Sequence, residues 1–226
     1  MRLRVRVGMW TAFAAGVVLL APATPPYGPV DASVPGPHLR SEPLDDRCLR
    51  SWVLPADAPR APEVVPPFED DRLHQSWLRH TGAAFPGKAE TVITLTGDSR
   101  RTVRLLSVEV TVTGRSAPLD GPVVSPGDCP ASPPPLAPVI AVDLDDLPLG
   151  RAVSAAPHAG VDLPRDVAPG ESLTLRLSGS TRRHVCDWTA TLRWWDGTGT
   201  RKRTIDHRGR PFRVTAPVAE TGEAAR

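Results

Sequence analysis

The clearest pattern in the chain is an alternation of apolar and polar residues between Cys186 and Trp195, in the segment CDWTATLRWW. In a β-strand, residues two apart share a face. Trp195 falls on the mostly polar face, beside the turn DGTGT, where it either packs at an edge or contacts a partner. The alternation predicts a buried strand whose inward face is Cys186, Trp188, Ala190, Leu192 and Trp194.

The same period of two recurs over most of the chain after Lys88. It predicts strands in ETVITLTG, RTVRLLSVEVTVTG, VIAVDLDD, ESLTLRLSG, RKRTID and PFRVTA. In the second of these the apolar parity changes, which predicts a β-bulge near Leu105. The inward residues are expected to include Leu106, Val108, Val110, Val112, Ile140, Val142, Leu144, Leu173, Leu175 and Leu177. Short strands with turn signals between them indicate an all-β fold, an antiparallel β-sandwich over residues 88–216 with a disordered tail at 217–226.

Proline is concentrated before this region. The chain has 27 prolines in 226 residues, twelve of them between Pro22 and Pro67, against a usual share of about 5%. Proline fixes φ and lacks a backbone donor, so this part cannot form a long helix or a central strand. Residues 24–87 are predicted to form a Pro-rich linker, although WVL at Trp52 to Leu54 is also suited to docking as an edge strand.

One short helix is predicted inside the linker, at residues 70–81. Asp70 or Asp71 provides an N-cap, and Gly82 follows as a C-terminal signal. Leu73 and Trp77 are four residues apart, so they are expected to share the buried face of this helix.

The first 23 residues have the composition of an export signal. Arg2, Arg4 and Arg6 precede an apolar segment of about 14 residues, and small residues follow in APA. The apolar segment is shorter than the roughly 20 residues that span a bilayer. A cleaved signal, a membrane anchor retained through residues 7–23 and a buried helix are the alternatives. Either of the first two makes the protein extracytoplasmic, secreted or anchored to the cell membrane.

The formal net charge of +2 comes from this N-terminal segment. Without the first 23 residues the chain has 24 basic and 25 acidic residues. A nearly neutral chain lacks the basic surface that binds phosphate backbones, so its composition argues against nucleic-acid binding.

Outside the cytoplasm a pair of the three cysteines is expected to be oxidised, and the odd cysteine needs a separate explanation. Cys186 faces inward on its strand, and Cys129 lies in a proline-rich loop before VIAVDL. A Cys129–Cys186 disulfide is the favoured pairing, with a bridge to Cys48 or no bridge as alternatives. The favoured pairing leaves Cys48 free or able to link two chains, which is a weak indication of a dimer.

The polar residues form no recognisable catalytic or cofactor motif. Three aspartates in VDLDDLP offer oxygen ligands for Ca²⁺, but without EF-hand spacing they are interpreted as an acidic strand end. No G-x-S-x-G elbow, phosphate loop or dinucleotide fingerprint occurs in the sequence. We therefore predict no catalytic, cofactor-binding or metal-binding residues. The polar residues considered and set aside are Asp143, Asp145, Asp146, His184, Asp206 and His207.

Residues from about Ala89 to Thr215 resemble a group of actinobacterial membrane-anchored or secreted proteins. The shared features are VDLDDLP, a CDW…L…W strand and IDHRGRPFR before a low-complexity tail. The use of 25 arginines against two lysines also suits a high-GC genome of this kind. The resemblance implies an immunoglobulin-like domain outside the cytoplasm and implies no particular activity.

These features predict a non-catalytic protein of the cell envelope whose sandwich binds or spaces a protein or cell-wall partner. Trp195 and Cys48 are the residues predicted to contact such a partner. A secreted hydrolase with a site assembled from distant loops and a purely structural spacer are the two alternatives.

Overall fold

The computed structural model describes residues 38–43, 51–58, 71–98, 100–125, 137–155 and 161–217. In these ranges the protein is mostly β, with several sheets, which is consistent with the predicted all-β sandwich. The described elements are α1 (Asp71–Thr81) and the strands β1 (His38–Pro43), β2 (Trp52–Val53), β3 (Phe85–Pro86), β4 (Lys88–Thr96), β5 (Val103–Ser116), β6 (Val123–Val124), β7 (Val139–Asp143), β8 (Val153–Ser154), β9 (Arg165–Val167), β10 (Ser172–Ser180), β11 (Val185–Trp195), β12 (Thr200–Ile205) and β13 (Phe212–Thr215).

Two sheets form the body of the fold. The first has the strand order β1-β4-β10-β7 and the second β3-β13-β11-β5-β8, with β12 also paired to β11 and β9 to β5. Most pairs are antiparallel as predicted, but β7 runs parallel to β10 and β3 parallel to β13. Both parallel pairs join strands that are distant in sequence, and such strands need no hairpin between them. Apolar periodicity does not contain this information.

The strand predicted from the tryptophan-rich segment lies in the interior of the second sheet. β11 pairs with β5 on one side and with β12 and β13 on the other. All five of its predicted inward residues are buried. Trp188 stacks on Phe212 with ring centroids 4.6 Å apart. Burying one such indole contributes on the order of 3 kcal/mol. The burial of these five residues confirms the prediction for this strand.

The bulge predicted in β5 is also confirmed. The register with β11 passes from Ser107 directly to Leu105, so Leu106 is the extra residue. The inward face therefore switches parity at this point, and Leu105 is buried while Leu106 is only partly so. The prediction that Leu106 belongs to the inward face is wrong. The other predicted inward residues are buried, or in one case packed partly buried against the core, namely Val108, Val110, Val112, Ile140, Val142, Leu144, Leu173, Leu175 and Leu177.

Helix α1 matches its predicted bounds to within one residue but not its predicted buried face. Gly82 follows it with a φ of +66°, and the Gly82 amide donates to the Leu78 carbonyl at 3.1 Å. Trp77 is buried, whereas Leu73 is 55% exposed, so the predicted pairing of these two residues is wrong. The buried face is centred one residue later, because His74 stacks on Trp77 and lies beside the indole of Trp52.

Part of the region predicted as linker is folded against later strands. β1 pairs along its length with β4, and Trp52 and Val53 pair with β6, which confirms the alternative of a docked WVL strand. Among the described residues, no helix combines the length and the apolar character needed to cross a bilayer. The predicted signal or anchor at 1–23 and the tail after residue 217 lie outside the described ranges.

An arginine links the edges of the two main sheets. Arg203 of β12 donates from Nη1 to the carbonyl of Leu39 in β1 at 2.7 Å. The side chain of Arg203 points to the inner face, since its cross-strand partner is the buried Leu192. A charged side chain turned inward on an edge strand opposes pairing with a further strand.

Candidate functional site

The outward face of β11 and its neighbours carries a depression lined by polar side chains, which makes it a candidate ligand surface. In β11 this face is formed by Asp187, Thr189, Thr191, Arg193 and Trp195, all partly or largely exposed. Thr191 lies between Glu109 of β5 and Thr204 of β12, and Arg193 lies between Ser107 and Lys202. Cross-strand neighbours on one face are in contact. We call this continuous polar surface the outer strip. At about 3.4 Å per residue it runs roughly 27 Å along β11.

A shallow depression of about 670 Å³ lies in the outer strip. Three threonine hydroxyls, three cationic groups and one carboxylate line it, so its lining is positively charged overall. Hydroxyls both donate and accept hydrogen bonds, whereas Lys and Arg only donate. This lining suits an elongated ligand that carries hydroxyl groups and negative charge. The lining residues are Glu109, Thr191, Arg193, Thr200, Arg201, Lys202 and Thr204.

The cations of the depression differ in how they are neutralised. Arg193 Nη1 is 3.3 Å from Glu109 Oε1; the Arg193 side chain is exposed and the Glu109 side chain is partly exposed. Such exposed pairs are weak and can exchange partners. Within the part of the chain that the structure describes, Lys202 has no ion-pair partner. The depression therefore presents one uncompensated ammonium group and a loosely held guanidinium to a ligand.

A rigid turn supports the end of the strip. Hydrogen bonds from Thr198, from Arg201 and from the Gly199 amide hold the pKa of Asp196 well below its usual range. The carboxylate stays ionised and fixes the DGTGT turn that joins β11 to β12. This turn sets the register in which Trp195 lies beside Thr200.

Trp195 lies at this end of the strip and is 43% exposed, on the polar face as predicted. Its neighbour on β5 is Arg104, which donates two hydrogen bonds to Asp166 at 2.6 and 3.0 Å. Hydrogen bonding and charge between these two groups raise the pKa of Arg104 and lower that of Asp166. An exposed indole beside such polar groups offers a flat apolar surface on which a sugar ring can stack.

Cys186 lies near the other end of β11, fully buried, and carries a free thiol. Burial raises the pKa of this thiol, and interactions with Arg115 and Thr181 offset part of the rise. Cys129 and Cys48 lie outside the described residues. The Cys129–Cys186 disulfide and the dimer through Cys48 therefore stay predictions.

The acidic run after β7 organises a turn. The buried Asp145 carboxylate accepts hydrogen bonds from Thr181 Oγ1 and the Arg182 amide, each at 2.8 Å. His184 Nδ1 lies 2.7 Å from the same carboxylate. Burial alone would raise the pKa of Asp145, but these hydrogen bonds and the charge of Arg183 hold it well below its usual range. Asp145 thus ties the β10–β11 turn to the end of β7.

This cluster differs from a hydrolase triad in its geometry. The hydroxyl of Thr181 donates to Asp145 and not to the ring of His184, and Thr181 is only 1% exposed. A nucleophile needs its base within reach and access to a substrate. Asp206 accepts a hydrogen bond from the Gly209 amide, as expected for a turn.

The remaining candidate ligands are also separated in space. In the described ranges, no group of three His, Cys, Asp or Glu side chains is arranged to hold a metal ion. His207 is buried, stacked on Phe212 and 3.4 Å from the Gln75 amide nitrogen. It belongs to the packing of α1 against the sandwich.

The sequence analysis identifies Trp195 as a candidate site residue, but it does not single out Thr191, Arg193 or Lys202. Their proximity depends on the β11–β12 register, which pairs Arg193 with Lys202. The only signal in the sequence is the tight DGTGT turn, which restricts how the two strands can align.

No protein-family model, curated protein or solved structure matches this chain.

Proposed function

We propose that this protein is a non-catalytic binding module of the cell envelope whose outer strip holds an acidic wall polysaccharide. One observation carries the proposal. The exposed indole of Trp195 and the depression lined by threonines and cations lie on one continuous sheet face. Stacking surface, hydroxyl groups and positive charge together match a polymer of sugar rings with negative substituents.

The proposed location and fold type have separate support. The N-terminal sequence has the order of an export signal, and the resemblance to actinobacterial envelope proteins favours the same compartment. An immunoglobulin-like identity of the sandwich is part of the proposal. Trp188, buried between the two main sheets, is the kind of residue that such domains place on a central strand.

The shape of the surface favours a polymer over a small molecule. Small ligands are usually enclosed in a cleft that buries most of their surface. The outer strip is open along its length, so a single sugar would be held on one side only. An extended chain gains contacts at several positions at once, which compensates for weak binding at each of them.

The test is co-sedimentation of the purified full chain with bacterial cell walls, before and after mild acid extraction of their anionic polymers. We expect binding to intact walls that weakens as salt is raised and is lost after extraction. Trp195→Ala and Lys202→Gln should each weaken binding about tenfold, which corresponds to about 1.4 kcal/mol. Leu149→Ala is the matched control, because Leu149 is also an exposed apolar residue and lies away from the depression.

Three outcomes would contradict the proposal. Binding that survives acid extraction would favour a protein partner or the neutral wall. Binding that is unchanged in both outer-strip variants would place the contact on another surface. An absence of binding to any wall preparation would support the alternative of a structural spacer.

A further inference from the structure

Glu109 supplies the carboxylate in the lining of the depression, and its two oxygens differ in their contacts. Oε1 lies 3.3 Å from Arg193 Nη1 and accepts a hydrogen bond from the Ser107 hydroxyl at 3.5 Å. Oε2 accepts no hydrogen bond from any residue that the structure describes. An ionised carboxylate offers about four acceptor positions on its two oxygens. Arg193 and Ser107 therefore orient the carboxylate and leave its second oxygen open to a ligand.

The opposite side of the depression carries a group of opposite charge. Lys202 of β12 is exposed and has neither an ion pair nor a side-chain hydrogen bond in the described ranges. Strands β5 and β12 flank β11, so their backbones are two strand spacings apart, or roughly 10 Å. The depression thus has a free hydrogen-bond acceptor on its β5 side and a free cation on its β12 side.

Two threonines lie between these sides. Thr191 is the cross-strand neighbour of Glu109 on one side and of Thr204 on the other. Neither threonine hydroxyl makes a hydrogen bond within the described part of the chain. A sugar hydroxyl can accept from a lysine or arginine, but its own proton needs an acceptor, which these cations lack. Oε2 of Glu109 is the charged acceptor that the depression offers to that proton.

We infer that Glu109 is the specificity-determining residue of the depression, which takes a sugar with an anionic group on the β12 side and unsubstituted hydroxyls on the β5 side. A hydrogen bond from a hydroxyl to an ionised carboxylate is stronger than one between neutral groups. A sugar with substituted hydroxyls would cover the carboxylate without donating to it, which is unfavourable. This inference rests on the proposed function, because it names the class of sugar that the outer strip selects.

A purely competitive role of Glu109 would have the opposite signature. If the carboxylate only competed with an anionic ligand for Arg193, then neutralising it would strengthen the binding of every anion. If it accepts sugar hydroxyls, neutralising it weakens the binding of a ligand that carries free hydroxyls. The sign of the effect therefore separates the two roles.

The experiment is an NMR titration of the ¹⁵N-labelled full chain with an oligomer of galacturonic acid and with the same oligomer O-acetylated on its ring hydroxyls. Both oligomers carry one carboxylate per ring, and they are compared at matched ionic strength. We expect saturable amide shifts at Thr191, Arg193 and Lys202, with a Kd at least tenfold higher for the acetylated oligomer. Glu109→Gln should raise the Kd of the unmodified oligomer about tenfold and should not raise that of the acetylated oligomer.

Glu171→Gln is the matched control, because it removes the same charge from an exposed glutamate outside the depression, in the turn before β10. It should leave both Kd values unchanged within a factor of two. Comparing both oligomers in both proteins separates the lost hydrogen bond from the added bulk of the acetyl groups.

Three results would overturn the inference. The first is tighter binding of both oligomers by Glu109→Gln, which would make Glu109 a competitor for Arg193. The second is a preference for the unmodified oligomer that is as large in Glu109→Gln as in wild type. The third is equal affinity of wild type for the two oligomers, or no shifts with either, and this result needs no variant to fold.

Cell-wall co-sedimentation of the wild-type chain distinguishes a failure of this inference from a failure of the proposed function. If the chain binds walls but does not discriminate between the oligomers, the wall-binding proposal stands and the role of Glu109 falls. If it discriminates between the oligomers through Glu109 but binds no wall preparation, the wall-binding proposal falls and hydroxyl recognition by Glu109 stands.

Discussion

Gly179 of β10 lies directly against the indole of Trp188 in β11, at the contact between the two main sheets. A Cβ atom at residue 179 would be 2.6 Å from Cε2 of that indole, closer than any real contact of this type. The absence of a side chain at Gly179 is what admits a tryptophan at the centre of the interior strand. This contact explains why the most tryptophan-rich segment of the chain lies in the core.

Gly179→Ala is predicted to destabilise the protein by overpacking, by about 1–3 kcal/mol. Urea unfolding at neutral pH measures this free energy. Gly199→Ala is the matched control, because a Cβ at Gly199 has no atom within 4 Å, and it should change stability by less than about 0.5 kcal/mol. Trp188→Leu should lower the free energy of unfolding less in the Gly179→Ala variant than in wild type. Equal effects of the two glycine variants would contradict the contact.

Trp77→Ala is predicted to weaken the packing of α1, at a cost of about 3–5 kcal/mol. Trp77 is buried and its ring centroid lies 5.8 Å from that of Trp52. Leu73→Ala changes a mostly exposed residue on the same helix, so it should cost less than about 0.5 kcal/mol. Thermal unfolding of both variants makes the comparison. A larger loss of stability in Leu73→Ala than in Trp77→Ala would support Leu73 as a buried residue of the helix, as the sequence alone predicts.

The strands of the fold are predictable because their signal is local. Alternation needs only neighbouring residues, and it identifies β4, β5, β10 and β11 together with a bulge near Leu105, which the structure places at Leu106. The face of α1 is harder, since Leu73 and His74 are both compatible with helical spacing. His74 is buried because Trp52, a residue distant in sequence, lies beside it. Such tertiary contacts leave no periodic pattern.

The candidate site is less predictable than the fold for a related reason. The exposure of Trp195 follows from parity within one strand. The depression needs Glu109, Arg193 and Lys202 side by side, and they come from three strands. Register and docking are properties of the folded chain, so composition and spacing do not contain them.

Asp145→Asn is predicted to destabilise the protein by about 1–3 kcal/mol at neutral pH. The folded-state pKa of Asp145 is depressed below its unfolded value of about 3.9. The contribution of the ionised Asp145 carboxylate to the free energy of unfolding is therefore complete above the unfolded-state pKa. It is lost as pH falls through the folded-state pKa. The stability difference between wild type and variant should shrink below about pH 4. Urea unfolding from pH 3 to pH 7 measures this trend.

Asp146→Asn is the control for this experiment. The side chain of Asp146 is 77% exposed and pairs with Arg183 at 3.3 Å, so its removal should change stability by less than about 0.5 kcal/mol. A difference between wild type and Asp145→Asn that stays constant from pH 3 to pH 7 would show that the charge of Asp145 has no role.

Cys186 is predicted to be protected from alkylation in the reduced, native protein. It is fully buried, which blocks access of the reagent. Burial also raises its thiol pKa, which suppresses formation of the reactive thiolate. Peptide mapping after iodoacetamide treatment, with and without denaturant, tests this. In protein isolated from an oxidising compartment, a linked peptide containing Cys129 and Cys186 is expected. Alkylation of Cys186 in denaturant without reductant would contradict that disulfide.

The most direct test of the outer strip as a polysaccharide-binding surface is hydroxyl-radical footprinting of the full chain with and without anionic wall polymer. Trp195 is exposed in the free protein, so it should be oxidised there and become protected as polymer is added. Leu149 is more exposed, at 59%, and serves as the internal reference that should keep its reactivity. We predict that polymer protects Trp195 from oxidation and leaves the oxidation of Leu149 unchanged. Unchanged oxidation of Trp195 at saturating polymer would contradict the proposal that the outer strip binds polysaccharide.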